Sequence, residues 1–192
     1  MRPSDLEWLG RTDGEPGAPT LRWLGTAGFA LEHEGHVVLF DPYLTRASLA
    51  RCLLGPVATD RARVAEHVPR ASAIVVGHTH FDHALDVPDI AKATGARVFG
   101  SRSAVVLCRA RGVDEAQLED VESRVTVTRP FDAEVGPFRL RFFASAHSPI
   151  ALGRVPFPGE IASCDDVPMR IERYRCGAVF GVLIEVAGRR VF

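Results

Sequence analysis

Apolar and polar positions alternate along much of the chain with the period of half-buried strands, and a few stretches follow a helical period instead. Strand-like runs are found at 21–24, 29–32, 37–40, 73–76, 97–99, 125–128, 138–144 and 178–185, and a further strand begins at 191. Helical spacing with cap and stop residues is found at 60–68, 88–94 and 101–111. Hairpin strands are therefore followed by strand–helix–strand units and then by more strands. This order predicts an α/β fold of two packed sheets with helices outside.

Chain length and composition favour a single folded domain behind a flexible segment. Residues 1–19 are rich in glycine, proline and charge, which predicts a flexible N-terminal arm. Residues 20–192 are long enough to bury a core as one domain. The apolar fraction of 46% and the charged fraction of 24% are typical of a globular protein. The net charge of −1 gives no general affinity for nucleic acid or anionic membranes.

Two further features bear on the cellular compartment. The start of the sequence lacks the long apolar segment of a signal peptide, and no run reaches the ~20 apolar residues that a membrane span needs. The cysteines show no CxxC pairing and no regular spacing, so nothing demands an oxidising compartment; they are Cys52, Cys108, Cys164 and Cys176. We therefore expect a cytoplasmic protein.

The most informative stretch of the chain is Gly-His-Thr-His-Phe-Asp-His at 77–83, directly after the apolar run 73–76. In an extended loop, residues two apart point the same way, so His78 and His80 can bind one ion together. Asp82 and His83 are displaced from that pair and can face a second ion. A lone histidine near a strand end is usually a hydrogen-bonded or surface residue. Four ligand-type residues in this order after a buried strand instead predict a metal site.

A second histidine position has the same relation to a strand. His147 stands at the C-terminal end of the run 138–144, and together with His78 and His80 it is predicted to complete a three-histidine site. By contrast, His67 lies on the amphipathic stretch 60–68 and is predicted to be a surface residue.

The pattern His78-x-His80-x-Asp82-His83 resembles the signature of the metallo-β-lactamase superfamily. The resemblance extends upstream to Trp-Leu-Gly-Thr-Ala-Gly-Phe at 23–29 and Leu-Phe-Asp-Pro at 39–42, and downstream to the histidine at 147. The opening segments most resemble the branch that contains ascorbate-6-phosphate lactonase-like proteins and phospholipase-D-type enzymes acting on N-acyl phospholipids. The motif is specific for the superfamily and poorly specific for the substrate.

This resemblance implies a fold and several residue roles. The fold is expected to be the four-layer αββα sandwich, with the site at the edge between the sheets. Asp41, which could otherwise simply cap its loop, takes the place of an aspartate that orients a metal-binding histidine. Asp82 is expected to orient the attacking water and exchange its proton. Zinc is the default ion for a histidine-rich site, and manganese or iron is also compatible. Diiron oxygen-reducing relatives carry a glutamate at the position of His80, which argues against redox chemistry.

The resemblance also makes the end of the sequence notable. In the superfamily, the last strand of this chain is followed by a bridging aspartate and later by another histidine. Neither is present, so we expect a fold whose second half is incomplete and a second ion site with only Asp82 and His83. An unpaired sheet edge should then result, which predicts self-association.

Three functions remain open on the sequence alone. The first is a metal-dependent hydrolase that uses a metal-activated water on a small ester, lactone or phosphorylated metabolite. The second is a phosphodiesterase acting on phospholipid or nucleic acid, for which the near-neutral charge offers no docking surface. The third is a metal-binding fragment or pseudoenzyme with a role in assembly or regulation. The irregular segment 148–173 follows His147 and is predicted to form a lid or a wall of the substrate site.

Overall fold

The computed structural model describes residues 17–150, 153–165 and 167–192. Most of the predicted arm, residues 1–16, lies outside this description. The described strands are β1 Thr20–Gly25, β2 Gly28–His33, β3 His36–Phe40, β4 Ala73–Val75, β5 Arg97–Gly100, β6 Leu118–Asp120, β7 Phe131–Val135, β8 Phe138–Ser145, β9 Val179–Val186 and β10 Arg189–Val191. The described α-helices are α1 Leu49–Leu54, α2 Arg61–His67, α3 Phe81–Ala84, α4 Val87–Thr94 and α5 Arg102–Ala110, and short 3-10 helices span Glu115–Gln117 and Ile171–Arg173.

The first sheet has six strands in the order β1-β2-β3-β4-β5-β6. Its first three strands are antiparallel, and β3 to β6 run parallel to one another. Parallel neighbours need crossover connections, and the helical segments between β3 and β6 supply them. The C-terminal ends of β3 and β4 therefore lie side by side at one edge of the sheet, where the histidine-rich motif at 77–83 begins.

The centre of this sheet is buried on both faces, as the continuous apolar run at β4 predicts. Ile74 packs with the helices on one face. Its neighbours Ala73 and Val75 point to the other face, into a second core between the sheets. Two separate cores therefore hold β4 in place. The loop that carries the motif at 77–83 therefore starts from a fully buried strand.

The second sheet has four antiparallel strands in the order β10-β9-β8-β7 and packs on the first sheet. Phe142 of β8 is fully buried between them, with its ring centroid 5.7 Å from that of Phe99 and 5.9 Å from that of Phe131. The described residues thus form three successive layers: helices, the six-stranded sheet and the four-stranded sheet. This α/β architecture agrees with the fold class expected from the sequence.

One predicted strand is wrong. Residues 125–128 form turns, in which Thr126 and Arg129 exchange backbone hydrogen bonds and the Thr126 hydroxyl accepts from the Arg129 amide. The strand that precedes β8 is instead β7, which pairs with β8 on the side opposite β9, and the turn at Gly136 and Pro137 joins β7 to β8. A run of four residues can alternate by chance, and here local hydrogen bonds stabilise a turn instead. The sequence pattern predicts neither β7 nor the short elements α1, α3 and β6.

An apolar cleft opens at one side of the sandwich. Here β1 and β10 are the outer strands of their sheets among the described residues, and a cavity of about 330 Å³ lies between the sheets. Leu21, Phe29 and Phe192 line it and are exposed. The exposed edge expected from an incomplete second half, and the self-association expected from that edge, both stay predictions. Within the described ranges, none of the helices combines the length and the apolar character required to cross a bilayer.

Candidate metal centre

The loop after β4 presents its side chains in two groups because it changes conformation at His80. His80 is extended (φ −62°, ψ 153°) and stands at the N-terminus of α3. His78 and His80 share a direction, as predicted, because Nε2 of His78 lies 3.0 Å from Nδ1 of His80. Asp82 and His83 instead belong to the single turn of α3. This short helix, which the sequence pattern did not reveal, is the reason that they are displaced from the first pair.

Three imidazoles converge from two distant parts of the chain. The ring centroid of His147, which follows β8, lies 4.7 Å from that of His78 and 4.9 Å from that of His80. Each of the three histidines offers one nitrogen, and these nitrogens all lie within 4.8 Å of one another. Nε2 of His78 is 3.0 Å from Nδ1 of His80. The structure therefore brings together the three histidines that the sequence assigned to one site.

Backbone carbonyls select which nitrogen each ring can offer. Nε2 of His80 donates to the Pro156 carbonyl at 2.8 Å, and Nδ1 of His147 donates to the Ser148 carbonyl at 2.7 Å. A carbonyl only accepts, so the bonded nitrogen of each neutral ring carries the proton. Nδ1 of His80 and Nε2 of His147 are then left with free lone pairs. These tautomers follow from the hydrogen-bond partners.

The two histidines of the loop are held in their neutral form. Burial, and then the neighbouring imidazoles of His83, His80 and His147, lower the pKa of His78 to about 2. Burial likewise lowers the pKa of His80, although the hydrogen bond to Pro156 opposes this. Only a neutral imidazole has a lone pair for a metal ion. Both side chains are therefore in a ligand-competent state at neutral pH.

A second group shares His78 and consists of Asp41, His78 and His83. The Asp41 carboxylate accepts from the Gly77 amide at 2.7 Å, and its other oxygen lies 2.9 Å from Nδ1 of His83. That nitrogen has no aligned hydrogen bond, so the second contact is mainly electrostatic. Burial alone would lower the pKa of His83, but Asp41 and then Asp82 outweigh it and raise the pKa. Asp41 thus contacts the histidine of α3, in the position expected of an orienting carboxylate.

Asp82 lies at the margin of the site. Its side chain is 35% exposed, and its carboxylate is 3.8 Å from Nε2 of His83. Neither of the two groups found among the described residues includes it. The structure instead combines His83 with Asp41 and His78, so the roles of Asp82 as ligand and as proton acceptor stay predictions.

The donor set fits a divalent transition-metal ion. Two nitrogens bound to one tetrahedral zinc at about 2.0–2.1 Å each are roughly 3.3 Å apart. The 3.0 Å between the facing nitrogens of His78 and His80 is close to this spacing. Neutral imidazoles next to one carboxylate suit zinc, and they also suit iron or manganese. The residues present are therefore compatible with the metal site that the sequence predicts.

Several contacts of the site could not be predicted from the sequence. The carbonyls of Pro156 and Ser148 fix two histidine rings, and Thr79 bonds the segment that carries Pro156. Every residue has a carbonyl group, so these contacts leave no mark on residue type. The only available signal was the position of segment 148–173 directly after His147, which predicted a cover over the site.

The fold and the clustered histidines define a class of metal-binding proteins with two sheets and outer helices. Residues 36–192 match the sequence profile of the beta-lactamase superfamily domain, and the chain belongs to this family. Family membership confirms the resemblance drawn from the motif at 77–83.

Similar proteins agree with this assignment. A protein of Pyrobaculum arsenaticum named as a metal-dependent hydrolase is 35% identical over 97 residues, which are 50% of this chain and 39% of that protein. A Methylocella silvestris protein with the same name is 35% identical over 94 residues, 49% of this chain and 36% of the relative. These alignments span less than half of each relative's length.

Two solved structures share the fold. Igni18, described as a metallo hydrolase from Ignicoccus hospitalis, aligns with a TM-score of 0.53 at 18% identity over 90% of this chain and 58% of its own. CmlA, a diiron beta-hydroxylase from Streptomyces venezuelae, aligns with a TM-score of 0.51 at 19% identity over 91% of this chain and 29% of its own. At such identities, the likeness shows the fold alone.

Replacing Asp41 by asparagine is expected to weaken metal binding by about 10–100-fold, the usual effect of losing a partner that orients a ligand. Asparagine retains an oxygen for the Gly77 amide and tolerates the left-handed backbone at this position (φ 42°). It removes the charge that faces His83. Metal affinity measured by competition with a chelator checks the prediction.

The matched control is Asp60→Asn. Asp60 caps α2 by accepting from the Arg63 amide, a role that asparagine fills equally well. Metal affinity should not change in this variant. Equal affinities for the Asp41 and Asp60 variants would contradict the role given to Asp41.

Proposed function

We propose that this protein is a metal-dependent hydrolase acting on a small ester, lactone or phosphorylated metabolite. The observation that carries the proposal is the convergence of His78, His80 and His147, whose nitrogens lie within 4.8 Å of one another. Neutral imidazoles leave the full charge of the ion available for chemistry. The hydrolase names of the bacterial and archaeal relatives support the same reaction class.

The three histidines would hold the ion, and we propose zinc. When bound, the ion supplies Lewis-acid chemistry, which lowers the pKa of water and polarises the substrate oxygen under attack. Burial of His78 and His80 excludes bulk water from one side of the site, which strengthens charge interactions there. The backbone carbonyls of Pro156 and Ser148 keep the rings in place and in the required tautomers.

Proton transfer is assigned to Asp82. Its partly exposed carboxylate can accept a proton from the attacking water and return it to the leaving group. The Asp41 carboxylate lies 2.9 Å from Nδ1 of His83 and would orient this ring. A seryl nucleophile is not needed for this route.

The cytoplasm is proposed as the compartment. All four cysteines are buried, and none of them forms a disulfide. Thiols of this kind persist without special protection in a reducing compartment.

The function is tested by metal analysis together with a substrate panel. The purified protein should bind about one to two zinc ions per chain and hydrolyse at least one of a lactone, a phosphodiester and a thioester. Removal of the ion with a chelator should abolish turnover, and added zinc should restore it. Turnover that survives complete metal removal would refute the proposal. A metal-loaded protein that is inactive on every substrate would favour a binding or regulatory role.

A further inference from the structure

The segment 153–177 crosses the candidate metal centre and touches one of its histidines. Its described part carries Pro156, whose carbonyl accepts the Nε2 proton of His80. This single contact decides that Nδ1 of His80 faces His78 and His147. A loop carbonyl can perform this role only if the loop itself is held in place, so the attachment of this segment determines the orientation of the ring.

Thr79 supplies that attachment. It lies between His78 and His80 and is fully buried. Its hydroxyl lies 2.5 Å from the Arg175 carbonyl and 3.0 Å from the Cys176 carbonyl, so one donor is shared between two acceptors. Its backbone amide also donates to the Cys176 carbonyl, at 2.9 Å. Because residues alternate in direction along extended chain, the Thr79 side chain points away from the imidazoles and towards the segment.

Two further hydrogen bonds transmit this attachment to Pro156. The Cys176 amide donates to the Phe157 carbonyl at 3.0 Å, and the Gly177 amide donates to the Gly159 carbonyl at 2.9 Å. The end of the segment therefore holds its beginning, next to Pro156. A closed path of contacts runs from Thr79 through Cys176 and Phe157 to the neighbouring Pro156 carbonyl, and back to His80.

The packing around Thr79 leaves little room for the segment to shift. A Cβ added at Gly177 would lie 2.9 Å from the Thr79 hydroxyl oxygen and 2.9 Å from that of Ser101. Gly177 also has φ +65°, a conformation that suits glycine. The chain at 175–177 is thus pressed directly onto Thr79.

We propose that Thr79 is a positioning residue of the metal centre: its hydroxyl clamps segment 153–177, so that the Pro156 carbonyl holds Nε2–H of His80 and leaves Nδ1 for the metal. The role of this clamp in metal binding rests on the proposed metal-dependent function. The hydrogen bonds that form the clamp are present without a metal ion.

The test compares Thr79→Val with Thr79→Ser. Valine keeps the branched shape and the backbone amide but loses the hydroxyl, whereas serine keeps the hydroxyl. We expect about tenfold weaker zinc binding for the valine variant, the lower end of the effect of losing an orienting partner, and recovery of most of the affinity with serine. Nitrogen-15 NMR of the metal-free proteins should show His80 protonated at Nε2 in the wild type and a mixture of tautomers in Thr79→Val.

Two further variants complete the experiment. Thr94→Val is the matched control, since the Thr94 hydroxyl donates to the Ile90 carbonyl within α4, away from the site; its zinc affinity should equal that of the wild type. In Gly177→Ala, the added methyl group would clash with the Thr79 hydroxyl and displace the chain at 175–177. This variant should therefore weaken zinc binding, as Thr79→Val does. It decides the question if the valine variant does not fold.

Unchanged zinc affinity together with an unchanged His80 tautomer in Thr79→Val, or in Gly177→Ala if that variant is needed, would overturn the inference. Failure of the proposed function is recognised separately on the wild type, which would then either bind no zinc or hydrolyse none of the substrates with zinc bound. In that case the tautomer of His80 in the metal-free proteins still decides whether Thr79 positions the ring.

Discussion

Replacing His78 by alanine is expected to abolish both metal binding and hydrolysis. His78 belongs to both groups of ligand-type residues, so its loss removes one donor from each. The effect should exceed the ~10–100-fold that follows the loss of an orienting partner. His147→Ala should also abolish hydrolysis, because it removes a ligand from the three-histidine group. Bound metal measured by atomic absorption, and turnover of whichever panel substrate proves active, check both variants.

His67→Ala is the control for these two variants. His67 is half-buried on α2, and its backbone carbonyl accepts a hydrogen bond from the Arg22 side chain. Removing the imidazole leaves that contact in place, so metal content and turnover should match the wild type. Equal metal content in the His67, His78 and His147 variants would refute the ligand assignment.

Replacing Phe142 by alanine is expected to lower the free energy of unfolding by about 3–5 kcal/mol, as for other buried phenylalanines. Phe142 is fully buried in the core between the two sheets and stacks on Phe99 and Phe131. Removing its ring leaves a cavity and removes the ring contacts with Phe99 and Phe131. A loss of this size is a large part of the ~5–15 kcal/mol that stabilises a typical domain. Urea denaturation followed by circular dichroism measures it.

Phe143→Ala is the matched control in the same strand. Phe143 points to the opposite face of β8, is only half-buried and contacts Phe192 with the ring centroids 6.4 Å apart. The free energy of unfolding should fall much less than for Phe142. Similar losses for the two variants would contradict the assignment of Phe142 to the core between the sheets. Because β8 ends next to His147, the same core also fixes one side of the metal centre.

Much of the fold followed from hydrophobic periodicity. Seven of the eight complete strand-like runs correspond to strands, because alternation with period two is imposed by burial of one strand face. The apolar run at 73–76 predicts a buried strand, and the structure buries that strand on both faces. The strand predicted at 125–128 is wrong because local hydrogen bonds of Thr126 stabilise a turn, and the alternating pattern there is short. Brief elements such as α3 carry too few residues for a period to be recognised.

The sequence by itself determined which side chains could form the site and where each stands relative to its strand. The ligand-type residues after β4 and the histidine after β8 can be recognised from residue type and from their order along the chain. Only the tertiary structure decided that His147 lies beside His78 and His80, that His83 contacts Asp41, and that Pro156 selects the tautomer of His80. The physical reason is that convergence depends on how two sheets pack. A backbone carbonyl contact, moreover, is available to any residue and so has no signature in the sequence.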